Sequence, residues 1–180
     1  MRNKVLVAVL GICLCGLARA ENLVVGGDFE GPVVKDGESY EVNVTPTGWA
    51  GTGDLVKQEY AGAVDSGNGK QWFDLNPGME AGNGIMQSVH LTAGITYTFS
   101  FRYNGGGGGS TSAIAYQVGD LVGGSVSTAD MNVYGGTAWK TWRVTFTAKV
   151  TGAADVRFVP NGKHAGGFID AVEIHAGGEG

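Results

Sequence analysis

The chain contains 180 residues, with 17 acidic residues against 12 basic ones and a formal net charge of −5. An acidic balance of this kind argues against binding to nucleic acid or to an anionic membrane surface. The 33 glycines lie between short runs of valine, threonine and aromatic residues, without a strict repeat at every third position. That composition excludes a collagen-like chain and favours an all-β sandwich.

The first twenty residues predict a secretory signal peptide. Two basic residues precede an apolar run that ends in the small-x-small cleavage site Ala18-Arg19-Ala20, and the run is too short to span a bilayer. Both cysteines, Cys13 and Cys15, lie in this leader, so the mature chain is expected to contain no disulfide. We expect an extracellular or periplasmic protein with one domain at residues 21–180, in which nine basic residues remain against 17 acidic ones.

Alternation of apolar and polar residues predicts the strands. It is clearest at residues 95–103 and 141–147 and around Val156 and Phe158. Weaker strands are predicted at residues 22–25, 54–60, 72–75, 85–91, 113–118 and 168–175. Residues 119–137 fit either a helical turn or an edge strand. About nine short strands without a convincing amphipathic helix predict a two-sheet sandwich.

Two glycine-rich segments predict connections between strands. Ser66-Gly67-Asn68-Gly69 predicts a tight turn, because Asn-Gly accepts positive φ angles. Gly105 to Gly109, followed by three hydroxyl residues, predicts a loop at one end of the sandwich. This loop is either a plain connection or the rim of a binding cleft.

The motifs of familiar catalytic sites are absent from the sequence. There is no Gly-x-Ser-x-Gly elbow, no His-Glu-x-x-His and no phosphate-binding loop, and the three histidines show no motif spacing. A glycosidase needs only two suitably spaced carboxylates, so a small glycosidase stays open as a less favoured alternative. Its candidate acids are Asp28 with Glu30, Asp54 with Glu59, and Asp74.

Residues 22–30, NLVVGGDFE, resemble the opening of secreted galactose-binding-like β-sandwich domains. These include the carbohydrate-binding modules of glycoside hydrolases, the plant proteins with domain of unknown function 642 and the bacterial choice-of-anchor C proteins. Gly26 stands where the family usually has asparagine. Further matching motifs follow in the same order, at residues 48–49, 73–76, 84–87, 94–101, 139–146 and 167–174. The resemblance implies a jelly-roll fold in which the first and last strands lie side by side.

The resemblance also implies a structural calcium ion near that junction. Calcium binds carboxylate and backbone carbonyl oxygens. Asp28 and Glu30 are two residues apart and so could share one face of an extended strand, and Asp170 opens the last strand with an inward-facing side chain that needs a partner. We therefore expect Asp28, Glu30 and Asp170 to be the metal ligands. The alternatives are a turn-capping role for Asp28 and a hydrogen bond to backbone or arginine for Asp170.

Sugar-binding modules place aromatic rings against sugar rings and surround them with hydrogen-bonding groups. Trp72 alternates with Phe73 and Leu75, so it is expected on the opposite face of its strand, together with Asp74 and Asn76. The predicted ligand-binding residues are Trp72, Asp74, Asn76, Arg102, Tyr103 and Trp139. The alternative for Trp72 is an aromatic cover on the flank of the sandwich. Trp49 and Trp142 are predicted to be core residues.

The sequence therefore predicts a monomeric, secreted and non-catalytic protein that resembles a carbohydrate-binding module and binds a polysaccharide or a cell-surface glycan. The main alternative is a structural or adhesive matrix protein that binds no sugar. That alternative predicts that neighbouring loops cover Trp72.

Overall fold

The computed structural model describes residues 21–75, 84–106, 113–161 and 167–177. Short strands dominate this part of the chain, and two single 3-10 turns lie at Tyr60–Gly62 and Val133–Gly135. The strands are β1 (Tyr40–Val44), β2 (Ala50–Gly51), β3 (Gly53–Lys57), β4 (Gln71–Asp74), β5 (Ile85–Leu91), β6 (Thr96–Asn104), β7 (Ala113–Val118), β8 (Val122–Ser127), β9 (Lys140–Thr147), β10 (Gly152–Asn161) and β11 (Phe168–Ala176).

The strands form two antiparallel sheets. One has six strands in the order β1-β3-β4-β11-β6-β9, and the other has five in the order β2-β5-β10-β7-β8. Strands that are distant in sequence are neighbours in each sheet, as in a jelly roll. The predicted all-β jelly-roll sandwich is therefore confirmed. The edge strand that was one alternative for residues 119–137 is β8.

The main core lies between the two sheets and is built from the apolar positions of the alternating strands. Phe99 and Phe101 of β6 contact Phe158 of β10, with ring centroids 6.1 and 4.9 Å apart. Ile169 of β11 is fully buried in the same cluster. The prediction that Trp49 belongs to the core is confirmed, and Trp142 packs against it while partly exposed.

A second apolar cluster lies on the outer face of the six-stranded sheet. Residues 58–70 and residues 128–139 fold over this face at one end. We call the residues they enclose the outer aromatic cluster; it consists of Val56, Trp72, Val133 and Phe168, with Tyr60, Ala63, Val64 and Trp139 packed against them. This face of the sheet is therefore partly covered.

The N-terminal segment does not form the strand predicted at residues 22–25; it runs as a series of turns beside β11. The amide of Leu23 donates to Ile174 at 2.9 Å, and the Asn22 side chain accepts from the same residue's amide at 2.9 Å. Gly27 lies so close to β11 that a Cβ there would be 2.1 Å from the Val172 carbonyl oxygen. Side-chain bonds and close backbone packing thus replace a regular ladder.

No helix in the described part of the chain has the length and hydropathy that crossing a lipid bilayer requires.

Candidate functional site

The uncovered part of the outer face of the six-stranded sheet is polar. On β6, Ser100 and Arg102 point outward because Phe99 and Phe101 point into the core. Cross-strand register places Arg102 opposite Thr141 of β9 and Ser100 opposite Arg143 of β9. On the other side, β11 places Asp170 opposite Arg102 and Glu173 opposite Ser100. Three adjacent strands therefore present charged and hydroxyl groups side by side.

These groups line a pocket of about 240 Å³, which we call the sheet-face pocket. Its floor is the polar surface of β9, β6 and β11, and its rim is Gly67 and Asn68 from the loop at residues 58–70. Gly67 lies directly against Arg102, since a Cβ there would be 2.6 Å from its Nη1 atom. The polar residues of the pocket are Asn68, Ser100, Arg102, Thr141, Arg143 and Glu173.

Asp170 holds the rim of this pocket in place. Its carboxylate is fully buried and accepts hydrogen bonds from the Asn68 side chain at 2.9 Å, the Gln58 side chain at 3.3 Å and the Ser66 hydroxyl. Burial raises the pKa of Asp170 to about 7, although the hydrogen bonds from Ser66, Asn68, the Ala171 amide and Gln58 act to lower it. The carboxylate thus fixes the 58–70 loop on the sheet and positions Asn68 beside the pocket.

Arg102 has no hydrogen-bond or ion-pair partner among the residues that the structure describes. Its cross-strand neighbour Asp170 is engaged by the loop instead. Because a guanidinium carries five N–H donors and stays charged, a partly buried arginine in a pocket is suited to receive acceptor groups from a ligand.

The structure overturns the prediction that Trp72 offers an exposed ring to a sugar. Trp72 does lie on the opposite face from Phe73, as expected, but it is 0% exposed. Its ring packs against Trp139, with centroids 5.7 Å apart, and against Phe168 at 5.9 Å. The loops that fold over the sheet cover it, and strand alternation cannot reveal such a cover.

The other predicted ligand residues are dispersed. Trp139 is part of the outer aromatic cluster, and its indole donates to the Val64 carbonyl at 2.7 Å. Tyr103 packs against the main core, on the inner side of β6. Asp74 lies on the outer face, where burial and its charge raise the pKa of Tyr134 to about 12. Asn76 lies outside the described residues, and Arg102 lines the sheet-face pocket.

The three carboxylates predicted to bind calcium have separate hydrogen-bonding partners. Asp28 accepts weakly from the Glu30 amide at 3.4 Å, whereas Glu30 accepts from the Lys70 amide at 2.6 Å and the Gln71 amide at 2.9 Å. Asp170 is surrounded by the donors described above. Within the described ranges, no group of three or more acidic, histidine or cysteine residues is arranged to hold a metal ion. The described structure therefore does not assemble the three predicted carboxylates into one set of metal ligands.

Two larger clefts differ in chemistry from the sheet-face pocket. One, of about 600 Å³, lies beside the N-terminal segment, where the carboxylate of Glu30 is already bonded to backbone amides. The other, of about 410 Å³, lies on the five-stranded sheet, where Leu91, Leu121 and Val150 accompany Arg157. Neither combines an unpartnered arginine with polar groups from three adjacent strands. A third cleft, of about 340 Å³ beside β7 and β8, has no arginine among the described residues that line it. The sheet-face pocket is therefore the stronger candidate site.

Sequence reasoning did not single out Asn68, Thr141 or Glu173 as site residues. Alternation along each strand gives the outward direction of Thr141 and Glu173, but the register that places them around Arg102 is a property of the folded sheet. Asn68 lies in the predicted turn at residues 66–69, a signal for a reversal but not for a contact with the last strand.

Comparison with known proteins connects this chain to sugar-binding folds. The model of a family described as a carbohydrate binding domain matches residues 21–165. No curated protein matches the chain. Among solved structures, a cyclase from Fischerella sp. in its apo form aligns with a TM-score of 0.65 and 18% identity, over 89% of this chain and 98% of the cyclase.

Two carbohydrate-binding modules also align. A family 16 carbohydrate binding module has a TM-score of 0.53 and 18% identity, over 85% of this chain and 99% of the module. TmCBM61, solved with β-1,4-galactotriose, has a TM-score of 0.51 and 18% identity, over 88% of this chain and all of that one (100%). At such identities the likeness to the cyclase and to both modules shows a shared fold.

Proposed function

This chain belongs to the carbohydrate-binding domain family, and from this premise we propose that it is a secreted, non-catalytic protein that binds a polysaccharide in the sheet-face pocket. The protein acts as a monomer on an extracellular or cell-surface glycan. Residues 1–20 direct its export and are removed near Ala20.

The observation that carries this proposal is the convergence of polar side chains in one concavity. Ser100 and Thr141 offer hydroxyl groups, and Arg102 offers a guanidinium without a partner among the described residues. Sugar hydroxyls need donors and acceptors held at fixed positions, and adjacent strands of a sheet hold them rigidly. Because Trp72 is buried, recognition relies on hydrogen bonds rather than on ring stacking.

A pocket-filling variant tests the site. Thr141→Tyr introduces a phenol ring at the pocket wall and is expected to abolish the retardation of the protein in polysaccharide affinity gels. Thr147→Tyr is the matched control, because Thr147 is also an exposed threonine of β9 but does not line the pocket. Equal retardation of both variants and the unaltered protein would place the binding site elsewhere.

The covered Trp72 favours a second candidate, a structural or adhesive matrix protein that binds no sugar. Without Trp72 as an exposed aromatic platform, such a protein would use its surfaces for contacts with other proteins. Absence of retardation by every member of a panel of neutral and acidic polysaccharides, for correctly folded protein, supports this second candidate over the first.

The non-catalytic part of the proposal concerns the carboxylates. Asp170 has the raised pKa that a general acid requires, but its side chain is fully buried and held by the 58–70 loop. We expect no release of reducing ends from the same polysaccharide panel. Release that disappears in Glu30→Gln or Asp74→Asn would establish a glycosidase instead.

A further inference from the structure

We propose that the sheet-face pocket receives the carboxylate of a uronic acid unit in an acidic polysaccharide, with Arg102 as the residue that binds it. This inference rests on the proposed function, because it names the sugar class for the same pocket.

In the sheet, Arg102 lies beside a carboxylate that is already engaged by other donors. Register places Arg102 directly opposite Asp170, a pairing that would normally neutralise both groups. Instead, the Asp170 oxygens accept from Gln58, Ser66 and Asn68 of the loop. Arg102 therefore keeps its full charge and its donors in a partly buried position, with no partner among the described residues.

The charges of the pocket also favour an anionic ligand. Arg143 lies diagonally across from Arg102 in the β6–β9 pair, so the pocket contains two guanidinium groups. The carboxylate in the pocket is Glu173, which lies 3.4 Å from the His175 ring nitrogen. Arg143 and Glu173 each have an interaction partner within the protein, whereas Arg102 has none among the described residues. A neutral sugar would leave the guanidinium of Arg102 without a counter-ion.

The side chains that line the pocket also have the geometry that a sugar carboxylate requires. A guanidinium binds a planar carboxylate through two parallel hydrogen bonds, while Ser100, Thr141 and Asn68 surround it with groups suited to ring hydroxyls. The pocket of about 240 Å³ is smaller than a typical drug-sized site, so it suits one sugar unit of a chain. Spaced carboxylates suit this protein better than a densely sulfated polymer, which its acidic surface would repel.

The experiment compares two forms of one polysaccharide. Glucuronoxylan is used as it is and after chemical reduction of its uronic acid carboxyls to alcohols, and binding to the full mature chain is measured by calorimetry and affinity gels. We expect binding to the untreated form, weaker binding as salt rises, and at least about tenfold weaker binding to the reduced form.

Three variants assign the effect to Arg102. Arg102→Gln is expected to lower the affinity for untreated glucuronoxylan about tenfold or more. Arg102→Lys keeps the positive charge but loses the planar pair of N–H donors, so we expect it to lower the affinity by a smaller factor. Arg157→Gln is the matched control, because Arg157 is an exposed arginine on the other sheet, beside the 410 Å³ cleft. It should bind as the unaltered chain does, and melting curves of all three variants confirm folding.

The outcomes separate the two proposals. Equal binding of the untreated and reduced forms overturns the uronate inference while the polysaccharide proposal stands. Tight binding of dextran sulfate with no binding of glucuronoxylan assigns the pocket to sulfated sugars and also overturns it. Loss of binding in Arg157→Gln but not in Arg102→Gln moves the site to the five-stranded sheet. No binding to any polysaccharide rejects the proposed function itself.

Discussion

Asp170 is the residue at which burial and hydrogen bonding act against each other. Four donors stabilise its charged form, but the loss of water around a fully buried carboxylate has the larger effect on its pKa. The sequence predicted an inward-facing carboxylate that needs a partner. The direction was wrong, because the strand is irregular between Asp170 and Glu173 and Asp170 lies on the outer face, opposite Arg102. The need for partners is met there by Gln58, Ser66 and Asn68, about a hundred residues away in the chain.

The raised pKa of Asp170 predicts a pH-dependent stability. The folded chain holds this proton up to about pH 7, whereas the unfolded chain releases it near the ordinary value of 3.8. Between these values the folded state binds more protons, so the stabilising contribution is complete below about pH 4 and is lost as the pH rises to about 7. Urea unfolding over this range should show the free energy of unfolding falling with pH.

The Asp170→Asn protein has no titrating group at this position. Its free energy of unfolding should therefore lack the part of the pH dependence that Asp170 contributes. Asp155→Asn is the control, because Asp155 is an exposed aspartate on the opposite sheet. If the Asp170→Asn and Asp155→Asn proteins show the same pH dependence as the unaltered chain, Asp170 does not titrate in this window.

At the scale of elements, the N-terminal segment depends on side-chain amides rather than on a strand ladder. Gln71 of β4 is almost fully buried, and its side chain accepts from the Val34 amide at 2.6 Å and donates to the carbonyls of Phe29 at 2.9 Å and Pro32 at 3.1 Å. The ring of Phe29 is fully buried and stacks on Phe73, with centroids 5.2 Å apart. The phenylalanine of the opening GGDFE motif is therefore a core residue.

Replacing Gln71 should consequently loosen this segment. Gln71→Leu keeps a similar size but leaves one amide and two carbonyls without their partner, and we expect it to lower the free energy of unfolding by about 3 kcal/mol. Gln117→Leu serves as the control, because Gln117 is exposed on β7, and its effect should stay within about 0.5 kcal/mol. Urea unfolding measures both, and a near-neutral Gln71→Leu would show that the amide contacts do not hold the segment.

The loops over the six-stranded sheet are the elements that sequence reasoning could not anticipate. Residues 58–70 and 128–139 carry no regular alternation, yet they bury Trp72 and leave the region around Arg102 open. Trp72 and Arg102 both point outward from the sheet, so strand parity assigns them the same exposure. Which of the two becomes accessible depends on where the loops fold, a matter of contacts distant in sequence.

At the scale of the whole molecule, the contacts around the carboxylates bear on the calcium prediction. In the described structure, the carboxylate oxygens of Asp170 and Glu30 accept hydrogen bonds from donors of the protein itself. We therefore expect the melting temperature in EDTA to equal that in calcium-containing buffer. A lower melting temperature in EDTA, restored by calcium but not by magnesium, would support the calcium ion that the family resemblance implies.

The sequence by itself determined the fold class, most of the strands and the family resemblance, because alternation records which side of each strand is apolar and does not depend on distant contacts. Strands β5 and β7 lie where they were predicted, and the family match covers residues 21–165. The tertiary structure alone decided the candidate site. Cross-strand register placed Arg102, Arg143 and Glu173 together, and loop packing covered Trp72, because both arise from contacts between segments far apart in the chain.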